Sequence, residues 1–258
     1  MREREYIRRQ YAAILSSIGV ILVLSACVIF STLIMLIAYP EEAKSVWAFI
    51  LPSACIGMAG LLLRKLFRRH GKTLSIREGG VIVLISWSIV IIVSAFPFMA
   101  LMNMDFSKAV FESMSGWTTT GLSVLDFDRA PRLILYWRSM MQLAGGAGLA
   151  IIMMSAIVGP TGVGISSAEG RGDQLVPHVR QSARLVIMIY LIYAGAGVLA
   201  YHLAGMSLFD AINHSFTVVS TGGFSTRAES IGYWDSLAIE TVSLPLMLLG
   251  NLSFLTAW

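Results

Sequence analysis

Gly116–Ser123 reads GWTTTGLS, and it sets three threonines and a glycine between two long apolar runs. A second interruption of the same kind, VVSTGGFST at Val218–Thr226, stands in the C-terminal half. In a bilayer, backbone that is neither helix nor closed barrel survives only where protein or a water-filled cavity surrounds it. Both stretches therefore read as backbone held at membrane depth for a purpose.

The rest of the chain supports a membrane setting. Of 258 residues, 56% are hydrophobic and 13% charged, with mean hydropathy +0.74, whereas soluble domains carry about 25% charged residues. Six apolar runs approach the ~20 residues that a membrane helix needs: Tyr11–Ala38, Val46–Leu63, Gly80–Leu101, Leu133–Val158, Leu185–Ala204 and Ser236–Trp258. The first is too long for the apolar core of a cleavable signal peptide, about 7–15 residues, and reads as a retained span. Cys27 and Cys55 both lie inside apolar runs and read as small buried hydrophobes rather than a disulfide framework.

Net charge is +4 and the pI near 9.2, and the distribution of the basic residues accounts for this without nucleic acid. Thirteen of the nineteen Lys and Arg fall in the N-terminal arm, in the loop Arg64–Arg77 and in the loop after the fourth run. The positive-inside rule puts that face, and the N-terminus, in the cytoplasm. The remaining basic residues, Arg138 among them, are assigned to the outer face, from which the polar stretches would enter.

The two interruptions are parallel copies. FSKAVFES and LFDAINHS are semi-polar helical stretches too short to span, with Ala109 and Ala211, then Ser113 and Ser215, at matching positions. Counting on to the glycine pairs Gly121 with Gly222. The expected fold is an all-α polytopic membrane protein: an N-terminal helix hairpin with a basic loop over 1–75, a first repeat over 76–165 and a second over 166–258. Each repeat is helix, short helix, Thr/Ser-Gly strand, helix.

This pattern suits a cation path. A potassium filter replaces the ion's hydration shell with backbone carbonyls. Glycine permits the dihedrals that turn those carbonyls inward. Thr and Ser hydroxyls add uncharged oxygens, and a helix C-terminus aimed at the ion favours positive charge. Small-residue helix packing is the competing reading, and it is preferred for AGGAG at Ala144–Gly148. GPTGVG at Gly159–Gly164 reads as a helix terminator and loop. His70, His178, His202 and His214 show no metal-ligand spacing, and His214 reads as a packing or hydrogen-bonding residue. Glu112, on the first short helix, either raises the local cation concentration or pairs with Arg138. No Ser/His/Asp or paired-carboxylate arrangement supports an intramembrane enzyme.

Four stretches, SGWTTTGLS, YWRSMMQLAGGAGLAII, LAGMSLFDAINHSFTVVSTGGFST and ESIGYWDS, resemble the membrane subunit of Trk-type potassium transporters. This is the TrkH family within the Trk/Ktr/HKT superfamily. The resemblance implies four helix–pore helix–helix repeats around one ion path. It implies a filter from Thr119, Thr120 and Gly121 in the first repeat and Ser220, Thr221 and Gly222 in the second, flanked by Thr118, Leu122, Val219 and Gly223. It further implies K⁺ as the transported ion with no cofactor and no other metal, and conduction that is passive or ion-coupled (symport). Placement in the inner membrane, a homodimer and a cytoplasmic nucleotide-binding gating subunit follow from it as well. Two of the four repeats are recognised here. The expectation is the N-terminal half of such a subunit; the alternative is a non-conducting half-subunit or a truncated fragment that needs the missing repeats.

Overall fold

The computed structural model describes residues 2–67, 76–157 and 175–251. The basic residues Arg68, Arg69, Lys72 and Arg171, the GPTGVG loop and the last run beyond Asn251 lie outside the described residues. Among those described, the regular structure is helical: α1 (Arg2–Ser31), α2 (Trp47–Leu66), α3 (Ile76–Ser94), α4 (Phe96–Met102), α5 (Phe106–Trp117), α6 (Arg132–Ile157), α7 (Leu175–Leu203), α8 (Leu208–Val219) and α9 (Leu237–Asn251).

In their described parts, all six predicted runs are helical. Among the described residues, four stretches are long and apolar enough to cross a bilayer, Gln10–Ile37, Trp47–Leu66, Arg77–Met102 and Val186–Leu203. The other two runs extend beyond the described residues. Helix α9 has only 15 residues in the described part, and α6 carries the polar side chains of Arg138 and Gln142 into buried positions. The third run bends where α3 gives way to α4, with Pro97 in the first turn of α4, where its missing N–H costs nothing.

The chain divides into two compact units. The first comprises 1–114 and 124–137. Its base is the hairpin of α1 and α2, which cross at Gly19 and Gly60. A Cβ on Gly19 would stand 2.6 Å from the Gly60 carbonyl oxygen, and one on Gly60 2.7 Å from that of Gly19. Without a hydrophobic drive between helices in lipid, such small-residue contacts provide the association. Between the two helices the chain turns through two 3₁₀ segments, Thr32–Ile37 and Pro40–Ser45.

From the second of these, Glu42 reaches the start of α6. Its carboxylate oxygens accept the N–H groups of Arg132 and Leu133, each at 2.8 Å. Those are two of the donors that a helix start leaves unmet, and the negative charge suits the positive end of the helix dipole. The Arg132 guanidinium lies over the Tyr39 ring at 4.1 Å. Further along, Trp137 donates from Nε1 to the Ser94 carbonyl at 3.4 Å and meets Phe49 edge-on.

The second unit comprises 115–123 and 138–258. Its apolar core gathers Val186, Tyr190 and Tyr201 of α7, Ala211, Val218 and Val219 of α8, and Ile239 and Leu246 of α9. The Tyr201 hydroxyl is satisfied inside that core by Ser243 at 3.0 Å. Gly205, at φ +110, turns the chain from α7 into α8.

Glu42 works as a remote cap, so Glu42→Ala should destabilise the protein by about 1 kcal/mol, as loss of a helix cap does. A lower midpoint of thermal unfolding in detergent is the expected result; an unchanged midpoint would show that the two hydrogen bonds contribute nothing.

Candidate functional site

Helices α5 and α8 have 12 residues each, or about 18 Å of axis, well short of a ~30 Å hydrocarbon core. They begin alike. The Asp105 carbonyl accepts the Ala109 N–H at 2.9 Å, and the Ser207 carbonyl accepts that of Ala211 at 2.8 Å. Both alanines are completely buried. Each helix is also tied to the long helix before it in the chain: the Ser113 hydroxyl donates to the Ile91 carbonyl at 2.8 Å, and Ser215 to that of Ala194 at 2.6 Å.

They end alike as well. Thr119 and Thr120 donate their N–H groups to the carbonyls of Gly116 and Ser115 at 3.2 and 2.9 Å; Thr221 and Gly222 donate to Val218 and Thr217 at 3.1 and 2.8 Å. This crossed pair of bonds is a Schellman termination, whose turning residue takes the left-handed conformation and is usually glycine. Here it is threonine both times, at φ 53 for Thr119 and φ 54 for Thr221. A β-branched residue in that region is a genuine outlier, costing about 1–3 kcal/mol and persisting only where its surroundings over-determine it.

Two residues later φ is again positive, 82 at Gly121 and 80 at Gly223. The backbone thus alternates in hand over Thr119–Gly121 and again over Thr221–Gly223. An extended strand sends successive carbonyls to opposite edges, and an intervening left-handed residue breaks that alternation. The matching φ values correct the repeat register. Every equivalence, from Ala109 with Ala211 through Ser113 with Ser215 to the glycines, keeps one constant offset, so Gly121 corresponds to Gly223 and not to Gly222. The residue equivalent to Gly222 is Thr120.

Gly222 is a glycine for a different reason. A Cβ there would collide with the carboxamide of Gln142, while a Cβ on Gly121 would collide with the Gly222 carbonyl oxygen. The two Thr-Gly segments therefore approach backbone to backbone within the second unit. The glycines of α6 make room for this. A side chain on Gly145 would strike the Trp117 carbonyl, and one on Gly146 would stand 2.9 Å from the Ser220 Cβ. AGGAG is thus a close-packing motif, as its apolar setting suggests, and what it packs on is the ends of both short helices.

The side chains divide by role. The hydroxyls of Thr118 and Thr120 bond to each other at 2.8 Å. Ser220 donates its hydroxyl proton to the carbonyls of Phe216 and Thr217, at 2.8 and 3.1 Å. Thr120, Thr221 and Gly223 are exposed, whereas Ser220 and Gly222 are buried. A cavity of about 390 Å³ opens beside the second segment, lined in part by Tyr201, His214, Thr221, Gly222 and Gly223.

The chain leaving each segment is held from its short helix. Glu112, wholly buried, accepts the Val124 N–H at 2.9 Å. Its structural equivalent in the second copy is His214, whose Nδ1 lies 2.9 Å from the Asp210 carbonyl. A carbonyl only accepts, so Nδ1 carries a proton, and Nε2 shares a hydrogen bond with the Ser225 hydroxyl at 3.0 Å. Ser225 in turn accepts the Arg227 N–H at 3.0 Å. Asp210 takes hydrogen bonds from Thr226 at 2.6 Å and Ser207 at 2.7 Å, and faces Arg227 at 3.6 Å.

From α6, Arg138 donates to the Ser225 carbonyl at 2.7 Å and stacks over the Phe224 ring at 3.9 Å; Gln142 accepts the Phe224 N–H at 3.1 Å. Arg138 is 1% exposed. It therefore belongs to the interior and not among the charges of the outer face. The spacing of charged residues in the sequence shows that Asp210, Arg138 and Gln142 exist, but it gives no sign that all three converge on Phe224–Arg227.

Membrane-spanning helices interleaved with two equivalent short helices, each ending in a left-handed Thr-Gly turn, define a multi-pass α-helical membrane protein. Comparison with known proteins narrows the class. The TrkH family, described as cation transport protein, matches residues 45–257, and the chain belongs to that family. It is 34% identical over 236 residues to the Trk system potassium uptake protein TrkG of Escherichia coli K12, covering 87% of this chain and 48% of that protein. It is 31% identical over 254 residues to the potassium uptake protein TrkH of Vibrio parahaemolyticus, covering 95% and 52%. The crystal structure of the potassium transporter TrkH from Vibrio parahaemolyticus superposes with a TM-score of 0.81 at 31% identity, over 93% of this chain and 49% of that one. The chain spans about half the length of the relatives it matches.

Proposed function

We propose that the protein conducts K⁺ across the cytoplasmic membrane, with Thr118, Thr119, Thr120 and Gly121, and Ser220, Thr221, Gly222 and Gly223, forming two strands of a potassium filter. The observation that carries this reading is the repeated alternation of backbone hand at Thr119–Gly121 and Thr221–Gly223. Strain held at the same place twice is the mark of a functional segment, and carbonyls brought to face one side are what a dehydrated cation requires. The C-terminal ends of α5 and α8 meet these segments, so their dipoles favour a cation there. The family and the potassium uptake relatives point the same way.

Two strands supply half of a four-strand ring, and the reading calls for two more. In this account Glu112 serves the path by fixing the strand that leaves the first filter. The protein works as a homodimer with a nucleotide-binding gating subunit on its cytoplasmic face, where the basic loops lie.

Two experiments test the reading. Gly121→Ser and Gly223→Ser, in cells expressing the intact gene, should each reduce the preference for K⁺ over Na⁺ while leaving membrane insertion intact. The readout is growth of an uptake-deficient strain on limiting potassium, with and without sodium. Unchanged preference in both would mean that the left-handed glycines do not shape an ion path. For orientation, single cysteines replacing Glu42 and Arg129 in a background without Cys27 and Cys55 should react with an impermeant thiol reagent from outside intact cells, and one replacing Arg69 should not. Labelling at Arg69 would invert the topology.

A further inference from the structure

The second segment is wedged between two surfaces of the same unit. On one side lies the Gly121 backbone, so close that a Cβ there would strike the Gly222 carbonyl oxygen. On the other lies the carboxamide of Gln142, which occupies the space a Cβ of Gly222 would need. Gln142 is wholly buried. Its oxygen accepts the Phe224 N–H at 3.1 Å, and its nitrogen has no hydrogen-bond partner among the described residues. The amide orientation is therefore dictated by Phe224, and the group is braced against the chain at two successive places. One helical turn earlier on α6, Arg138 fixes the next stretch through the Ser225 carbonyl and the Phe224 ring.

We propose that Gln142 is the backstop of the second filter strand: a positioning residue that limits how far Gly222 can recoil from Gly121 and thereby sets discrimination between K⁺ and Na⁺. The inference rests on the filter reading above. Gln142 need not touch the ion. Discrimination between cations of different radius depends on the spacing and the freedom of the carbonyl dipoles, and packed interiors resist continuous deformation. A side chain in van der Waals contact with a filter glycine is placed to control both. Shortening it leaves a void into which the strand can retreat, and the site then relaxes around the smaller ion.

The test is a double-mutant cycle read as relative uptake of K⁺ and Na⁺, normalised to the protein present in the membrane, in cells expressing the intact gene. Gln142→Ala should lower the K⁺ preference about tenfold, within the range expected when residues in direct contact are uncoupled. Gly222→Ala alone, with Gln142 in place, should lower it too, because the new Cβ has nowhere to go. In the double variant the added methyl occupies the space left by the carboxamide, so it should recover much of the lost preference. A structural role without influence on the path would move protein abundance and leave the ratio alone. A Gln142→Ala protein that inserts normally and keeps the wild-type ratio overturns the inference. So does a double variant that fails to recover what Gln142→Ala loses, whether that loss is of selectivity or of insertion. Absence of K⁺ uptake by the unsubstituted protein overturns the filter reading itself, and the inference with it.

Discussion

Two threonines, Thr119 and Thr221, are held in a backbone conformation that their branched side chains resist, and much of the second unit serves to keep them there. Each turn is closed by crossed N–H bonds to the last turn of a short helix. In a bilayer those donors and acceptors have no water to fall back on, so leaving the left-handed turn would forfeit hydrogen bonds as well as relieve strain. The strain of about 1–3 kcal/mol per residue is thus outweighed locally. Glycine would sit there more easily, but it would also release the alternative conformations that threonine forbids.

The same economy of conformations explains why the segments are gripped downstream. Val124 is held by Glu112, and Ser225 by His214, from equivalent positions on α5 and α8. The chemistry differs while the task is shared. A carboxylate bonds a main-chain N–H in the first copy; an imidazole bonds a hydroxyl in the second. The second copy adds Asp210, Arg138 and Gln142 around Phe224–Arg227. Buried charges of this kind are expensive unless well bonded, and here Asp210 and Arg138 each bond chain that leaves the second Thr-Gly segment. A repeat that has diverged in side chains while keeping its backbone angles to within a few degrees shows which of the two is under the tighter physical constraint.

Much of this was legible in the sequence. The apolar runs, the hairpin ahead of the repeats, the two short helices and the Thr-Gly interruptions all follow from hydropathy and from the rarity of such residues at membrane depth. The register of the repeat did not follow. TTTGL and STGGF each offer a glycine at the expected distance, and composition alone cannot tell a glycine needed for its φ, Gly223, from one needed for its missing side chain, Gly222. The sequence did not show that the hydroxyl of Ser220 also bonds the carbonyls of Phe216 and Thr217, which the last turn of α8 presents within its reach. Arg138 looked like a surface charge. Its burial depends on Phe224 and Ser225, many residues away in the chain, and no local pattern encodes that meeting. Glu112 was visible as an expensive residue, but the Val124 N–H that it accepts carries no side-chain signature.

The central claim is that the paired left-handed Thr-Gly turns coordinate a dehydrated cation. Anomalous diffraction from crystals of the protein grown in rubidium, a heavier ion of potassium-like size, tests it most directly. The account predicts an anomalous peak within bonding distance of main-chain oxygens from both Thr118–Gly121 and Ser220–Gly223, abolished when sodium replaces rubidium. Anomalous density confined to the surface, with both segments ordered and empty, would contradict it.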